Sequence, residues 1–355
     1  MTQIRALVAG QHRELDRLTR DQRARAARIT REALARVQLS LATVDPASWA
    51  ANQGRAVSAQ LQGLLDELVK AQGTALATGT TRAVATGARS ATRVLQALDA
   101  TLGTPGPLRV DVLAWVADNA SAVAGLRVRT QAASLARYGA AAADEIGAEV
   151  ARVALAGGTW LDARPAIESA TARVVQGRQW MVNRIARTEV AAAYNGARVQ
   201  VLLDEDQAEV GRGRVKDRIQ KKLVAVFDAK TGQDSVLLHG QTVPVGDPFI
   251  DVSGREYMAP PNRPHDREIV IPWRDSYGSS AAYTRATAVG DNGRSAEGLR
   301  RRLLADAQRD TGAELARVRR GIRSADDPGA RVVLEGRLAV LVRKQAMIQS
   351  QLAQV

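Results

Sequence analysis

Apolar residues along this chain fall mostly at helical spacing, with one interruption. From 3 to 41, Ile4, Val8, Gln11, Leu15, Leu18, Gln22, Ile29, Ala33 and Val37 make a stripe close to a heptad repeat, with glutamine at two of its positions. One long helix is expected there. Asp45-Pro46 reads as the next helix start, with a capping carboxylate and proline in the first turn. The helix that follows runs to about Leu102, and its glycines predict a break near 73–79. Gly103-Thr-Pro-Gly-Pro107 is a clear breaker. Two further helices are expected over 110–125 and 130–156, with Trp115, Tyr138 and Ile146 as core anchors and Gly157-Gly158 as their end. Another helix starts at 159–162, with Pro165 near its first turn.

A helix over 179–203 places Met181, Ile185, Thr188, Ala192, Gly196, Val199 and Leu203 on one face. The pattern then changes. From Val224 to Trp273 the chain carries short β-prone runs divided by Gly and Pro, beginning with Val224-Ala-Val-Phe227 and the turn Asp228-Ala-Lys-Thr-Gly232. Residues 274–292 read as a connector. Helices over 295–323 and 329–353 follow, separated by a turn in which Asp327 caps and Pro328 takes the first helical position. In the last helix Leu334, Leu338, Leu341, Gln345, Ile348 and Leu352 form a seam with one polar position, so an antiparallel hairpin is expected. The expected fold is mainly α with a small α+β element: a helical region over 1–178, a β-containing core over 179–290 and a helical hairpin over 291–355.

Composition changes this picture in two ways. Aromatic residues are only 3% of the 355, so the helical core must be built from Ala, Leu and Val. The formal net charge is +13 and the pI about 10.8, which favours polyanionic partners. An Arg- and Ala-rich coding bias would give the same surplus. Nine arginines against four acids lie between 3 and 41. Six bases against one acid lie over 211–222, where Arg212, Arg214, Lys216, Arg218, Lys221 and Lys222 form a candidate loop for duplex phosphates, opened by Gly211 and Gly213. No aromatic residue interleaves with them, which argues against stacking on single strands. No apolar run is long enough for a membrane span, and no secretory segment is expected at the start. There is no cysteine, so no thiolate metal site is possible. No nucleophile–base spacing and no phosphate-cradling glycine loop stands out, so no catalytic residue and no cofactor is expected.

Four pieces of the sequence occur in a telling order. They are Ala186-Arg187-Thr188-Glu189 with Tyr194-Asn195, then Phe227-Asp228-Ala-Lys-Thr231, then Leu238-His239-Gly240-Gln241, then Pro260-Pro261 leading through Arg267 into an apolar strand. Together they resemble the phage Mu F-like minor head protein family over about Met181 to Trp273, a quarter of the chain. The resemblance implies a structural virion protein of low copy number, inside the capsid near the portal vertex and present in the host cytoplasm during assembly. Its implied partners are the portal protein, the major capsid or other head proteins, and double-stranded DNA bound without sequence preference. Many members carry a Cys-x-x-Cys in the turn and a Cys-x-Cys after the prolines, a metal-binding layout. Those positions here are Gly232, Ser235, Asp266 and Glu268. His239, His265, Asp234, Asp266 and Glu268 are the residues left for a harder cation. Pairing of Asp266 and Glu268 with Arg263 and Arg267 as polar surface is the plainer expectation. Glu189 is expected to tie its helix to Arg263 or Arg267. Two alternatives remain: a DNA-compacting protein acting alone, and an ejected effector with an enzymatic activity.

Overall fold

A computed structural model of the protein describes residues 2–44, 53–102, 110–155, 159–213, 215–228, 230–261, 263, 266–290 and 294–354. The expected helix start at Asp45-Pro46, the breaker at 103–107 and the Gly157-Gly158 end lie outside them. The chain is mostly helical, with a small antiparallel sheet. Nine α-helices occur among the described residues: α1 (Thr2–Ala42), α2 (Gln53–Leu102), α3 (Val112–Leu155), α4 (Trp160–Gly177), α5 (Gln179–Val210), α6 (Gln233–Leu238), α7 (Ser280–Thr287), α8 (Glu297–Ser324) and α9 (Pro328–Leu352). The strands are β1 (Gln220–Val224), β2 (Thr242–Pro244), β3 (Phe249–Ile250), β4 (Glu256–Tyr257) and β5 (Ile269–Trp273). No helix among the described residues is long and apolar enough to cross a membrane.

Several expectations are corrected. α2 runs unbroken through Gly73 and Gly79. Gly79 is there for close packing: a Cβ at that position would sit 2.0 Å from the side-chain oxygen of Gln22. The two helices expected over 110–156 are one, α3. The first strand begins earlier, at Gln220, and leaves Val226 in an isolated bridge to Val289. The stretch after Trp273 holds a 3-10 turn (Asp275–Tyr277) and α7, not only a connector. Gln345 is exposed, and the buried polar residue on α9 is Gln351. The α1 stripe is buried, Gln11 and Gln22 included, except Ile29, which is partly buried.

The helices and strands gather into two compact units, whose boundary cuts α1, α2, α3 and α5. One unit holds Arg17–Ala83 and Ser121–Ala193 and is all helical. One core cluster packs Leu61, Leu65 and Leu68 with Ile146, Val150 and Ile167. The other holds Met1–Asp16, Val84–Ala120 and Tyr194–Val355 and contains every strand. In its sheet the order is β2-β1-β5 with both pairings antiparallel, and Leu223 lies opposite Val270. β3 and β4 pair separately. Ala225, Phe227, Val236 and Leu237 meet Leu304, Ala307 and Ile348, so the open end of the α8–α9 hairpin is buried on α6 and the end of β1. Its closed end has its own small cluster of Leu315, Val318 and Leu341. Asp327 caps α9 by accepting from the N–H groups of Gly329 and Ala330.

Candidate functional site

Asn195, Asp228, His239 and Arg267 of the motif order are positioned at or beside the sheet. β5 is an edge strand buried along its whole length, and an edge offers unpaired backbone groups that must be satisfied. α5 supplies the partners. The Asn195 amide donates from Nδ2 to the Glu268 carbonyl at 3.0 Å and accepts at Oδ1 from the Val270 N–H at 3.1 Å, as a neighbouring strand would. Arg198, fully buried, donates from Nε to the Val270 carbonyl at 2.8 Å. Its other nitrogens reach Gln11 and the Tyr194 hydroxyl. Tyr194 in turn donates to Glu14 and lies 3.1 Å from the Ser90 hydroxyl.

The turn after β1 is fixed by charge. Arg267 makes a two-pronged contact with Asp228 at 2.5 and 2.6 Å, and the Asp228 carboxyl also accepts from the Lys230 N–H and the Thr231 hydroxyl. The hydrogen bonds from Arg267 lead the causes that hold this carboxyl down at about 2. His239 is buried, with Nδ1 accepting from the Ala225 N–H, so Nε2 carries the proton and donates to the Thr284 carbonyl at 3.0 Å. Burial keeps the ring neutral, well below its usual pKa. Gly240 follows at φ +84°, and a Cβ there would lie 2.4 Å from the Thr284 methyl. The Pro260–Pro261 bond is cis. Arg187, Thr188 and Glu189 lie half-buried in the helical unit. Arg263 holds Asp234 and Asp266, and Arg267 holds Asp228.

Gly232, Ser235, Asp266 and Glu268 all line one cavity of about 280 Å³, closed on other sides by Arg263, Arg267, Lys230 and Thr231. Residues 31 to 36 positions apart in sequence are thus neighbours. The donor set does not fit a metal. Gly232 offers no side chain, and a cation already occupies the cluster. The Arg263 guanidinium contacts Asp234 at 2.6 Å, the Ser235 hydroxyl and Asp266 at 3.1 Å, and Glu268 at 3.8 Å. A metal ion would be repelled by it and would lack soft ligands. Glu268 is buried, which corrects the expectation of a polar surface pair, and burial followed by the neighbouring Asp266 raises its carboxyl to about 7. His265 lies outside the described residues.

The basic loop is also corrected. Lys221 and Lys222 are fully buried rather than presented to solvent. The Lys221 ammonium sits 4.9 Å from the Phe249 ring centre and donates to the Met258 carbonyl. Lys222 sits 4.5 Å from Trp273 and 5.4 Å from Tyr283, and donates to both oxygens of Ser280. Burial lowers them to about 8 and about 7. Arg218 is bound to Asp206. Arg214 is outside the described residues. Arg212 and Lys216 remain exposed. A run of bases in sequence carries no sign of which ammonium groups an aromatic face will take.

Other important residues gave no local signal. Arg274, buried, binds Asp99 at 3.2 Å and Glu209 at 2.8 and 2.9 Å; Asp99 is 175 positions away. Buried Arg300 donates to Gln351, which donates to the His239 carbonyl, so the last helix is hydrogen-bonded to the motif itself. No protein-family profile, curated protein or solved structure matches the chain.

Proposed function

We propose that this chain is a structural minor head protein of a tailed bacteriophage, of the Mu F-like kind, held at the portal vertex in contact with portal and other head proteins and with packaged DNA. One observation carries the reading. The four positions that the resemblance assigns to one metal centre, 232, 235, 266 and 268, line one cavity although none of them retains a thiol. Two segments more than thirty residues apart in sequence meet there, which supports the reading. The guanidinium of Arg263 among them performs the cross-linking task that a metal would perform, tying α6 to the lead-in of β5. Asn195, Asp228, His239, Gly240 and Arg267 act as structural residues: each satisfies a backbone edge, a turn or a close approach. The chemistry is that of a scaffold, so the chain is assigned no enzymatic activity.

The test is location. Purified heads, analysed by mass spectrometry and by imaging of the portal vertex, should contain the chain at low copy number, and it should co-purify with the portal protein. Absence from heads, with the protein abundant in the infected lysate, would leave the DNA-compacting alternative as the better reading.

A further inference from the structure

We propose that the exposed ridge of α1 within the all-helical unit, with the groove beside it, is the surface that takes the sugar-phosphate backbone of double-stranded DNA. The inference rests on the DNA-binding part of the reading above and moves it away from 211–222. Arg17, Arg20, Arg23, Arg25, Arg28 and Arg31 are all exposed. At about 100° per residue, Arg17, Arg20, Arg28 and Arg31 share one side of the helix and extend over about 21 Å. A duplex of that length presents on the order of ten phosphate charges.

The acids of the region are engaged. Glu32 pairs with Arg28, Asp21 with Arg82, and Glu67 with Arg36. Among the described residues no ion pair engages Arg17, Arg20, Arg23, Arg25 or Arg31. Beside the ridge, α1 and α2 line a groove of about 510 Å³ with Arg25, Lys70 and the Arg36–Glu67 pair on its walls, and Ile29, Ala71, Thr74, Ala75 and Thr78 lining it. Small side chains let a phosphate strand approach, and flanking cations neutralise it. Ala24 and Ala35 are the exposed apolar residues between these arginines, too little for the apolar centre of a protein interface. The absence of any aromatic residue from 17 to 36 points to a duplex, not to stacked single strands.

The test is a fluorescence-anisotropy titration of a labelled thirty-base-pair duplex with the full chain across a salt series. Changing Arg17, Arg20, Arg25 and Arg31 to Gln should lower the magnitude of the log–log salt slope by about 3–4 and weaken binding at least tenfold at low salt. The same four changed to Lys should keep the slope, since an ammonium also neutralises a phosphate. Arg212→Gln with Lys216→Gln should leave the slope unchanged. Circular dichroism checks that each variant is folded. Wild-type binding by the four-Gln variant, loss of binding by the four-Lys variant, or equal affinity of the wild type for polyglutamate would overturn the assignment. If the wild type binds no duplex at any salt, the DNA-binding reading falls with it, while the location of the protein in heads is decided separately.

Discussion

The two units use charge in opposite ways. In the strand-bearing unit, Arg198, Arg274, Arg300, Lys221, Lys222, Asp99, Asp206 and Glu268 are buried. In the all-helical unit no Lys, Arg, Asp or Glu is buried among the described residues; its buried polar groups are Thr and Gln, such as Gln22, Thr30 and Gln72. The contrast follows from shape. A small sheet with an edge and several turns has backbone groups and irregular gaps that long charged side chains can satisfy, whereas long helices satisfy their own backbones and need only small residues at close contacts. The buried basic residues of the strand-bearing unit are therefore structural, while the described basic residues of the all-helical unit all lie outside its core. Net charge alone does not separate the two uses.

The sharpest way to break this comparison is Arg274→Met. It leaves Asp99 and Glu209 facing each other without their shared cation, and it should cost about 3–5 kcal/mol in urea unfolding. A cost below 1 kcal/mol would mean that the buried charges of this unit are not what holds it. Next is Asn195→Ala, which orphans the Glu268 carbonyl and the Val270 N–H on β5 and should cost about 2–3 kcal/mol by the same measurement. Asn195→Asp should fail to restore stability, because a carboxylate cannot donate to a carbonyl.

The sequence made part of this legible. The long α1, the α8–α9 hairpin with its Asp327 cap, and the position of the β-containing stretch all follow from local period and turn chemistry. Partner assignments over long separation did not follow. Nothing near Arg274 announces Asp99, and nothing near Lys222 announces Trp273 and Tyr283. The continuity of α2 through Gly73 and Gly79 was missed for the same reason: a glycine that breaks an isolated helix is retained here because Gln22 lies against it. The place of Arg263 among Asp234, Ser235, Asp266 and Glu268 did not follow from sequence, because these neighbours meet only in the fold.

A smaller effect tests the cavity. Glu268 titrates at about 7 in the folded protein, above its ordinary 4.5, so the folded state binds the proton more tightly than the unfolded state. The stabilisation is present below pH 4.5 and is lost as pH rises through about 7. Between pH 5 and pH 7 the loss amounts to about 2 kcal/mol. Glu268→Gln should remove this decline and leave the variant more stable than the wild type at pH 7. An unchanged pH profile would mean that Arg263 neutralises Glu268 fully, and the cluster would then be an ordinary ion-pair network.

The smallest expected effect completes the comparison from the other side. Arg17→Gln and Arg20→Gln together should change the thermal midpoint by no more than about 0.5 kcal/mol equivalent, because both side chains are exposed and no ion pair among the described residues engages them. Exposed like charges along one helix face repel weakly, so the change is expected to be neutral or slightly stabilising, and the difference should vanish as salt screens the repulsion. The readout is the midpoint of the double variant at 50 mM and 500 mM salt. A loss above 1 kcal/mol that persists at high salt would mean that these arginines carry packing or hydrogen bonds inside their unit. They would then belong with Arg274 and Arg198 as internal supports, and the division between structural and available cations would fail.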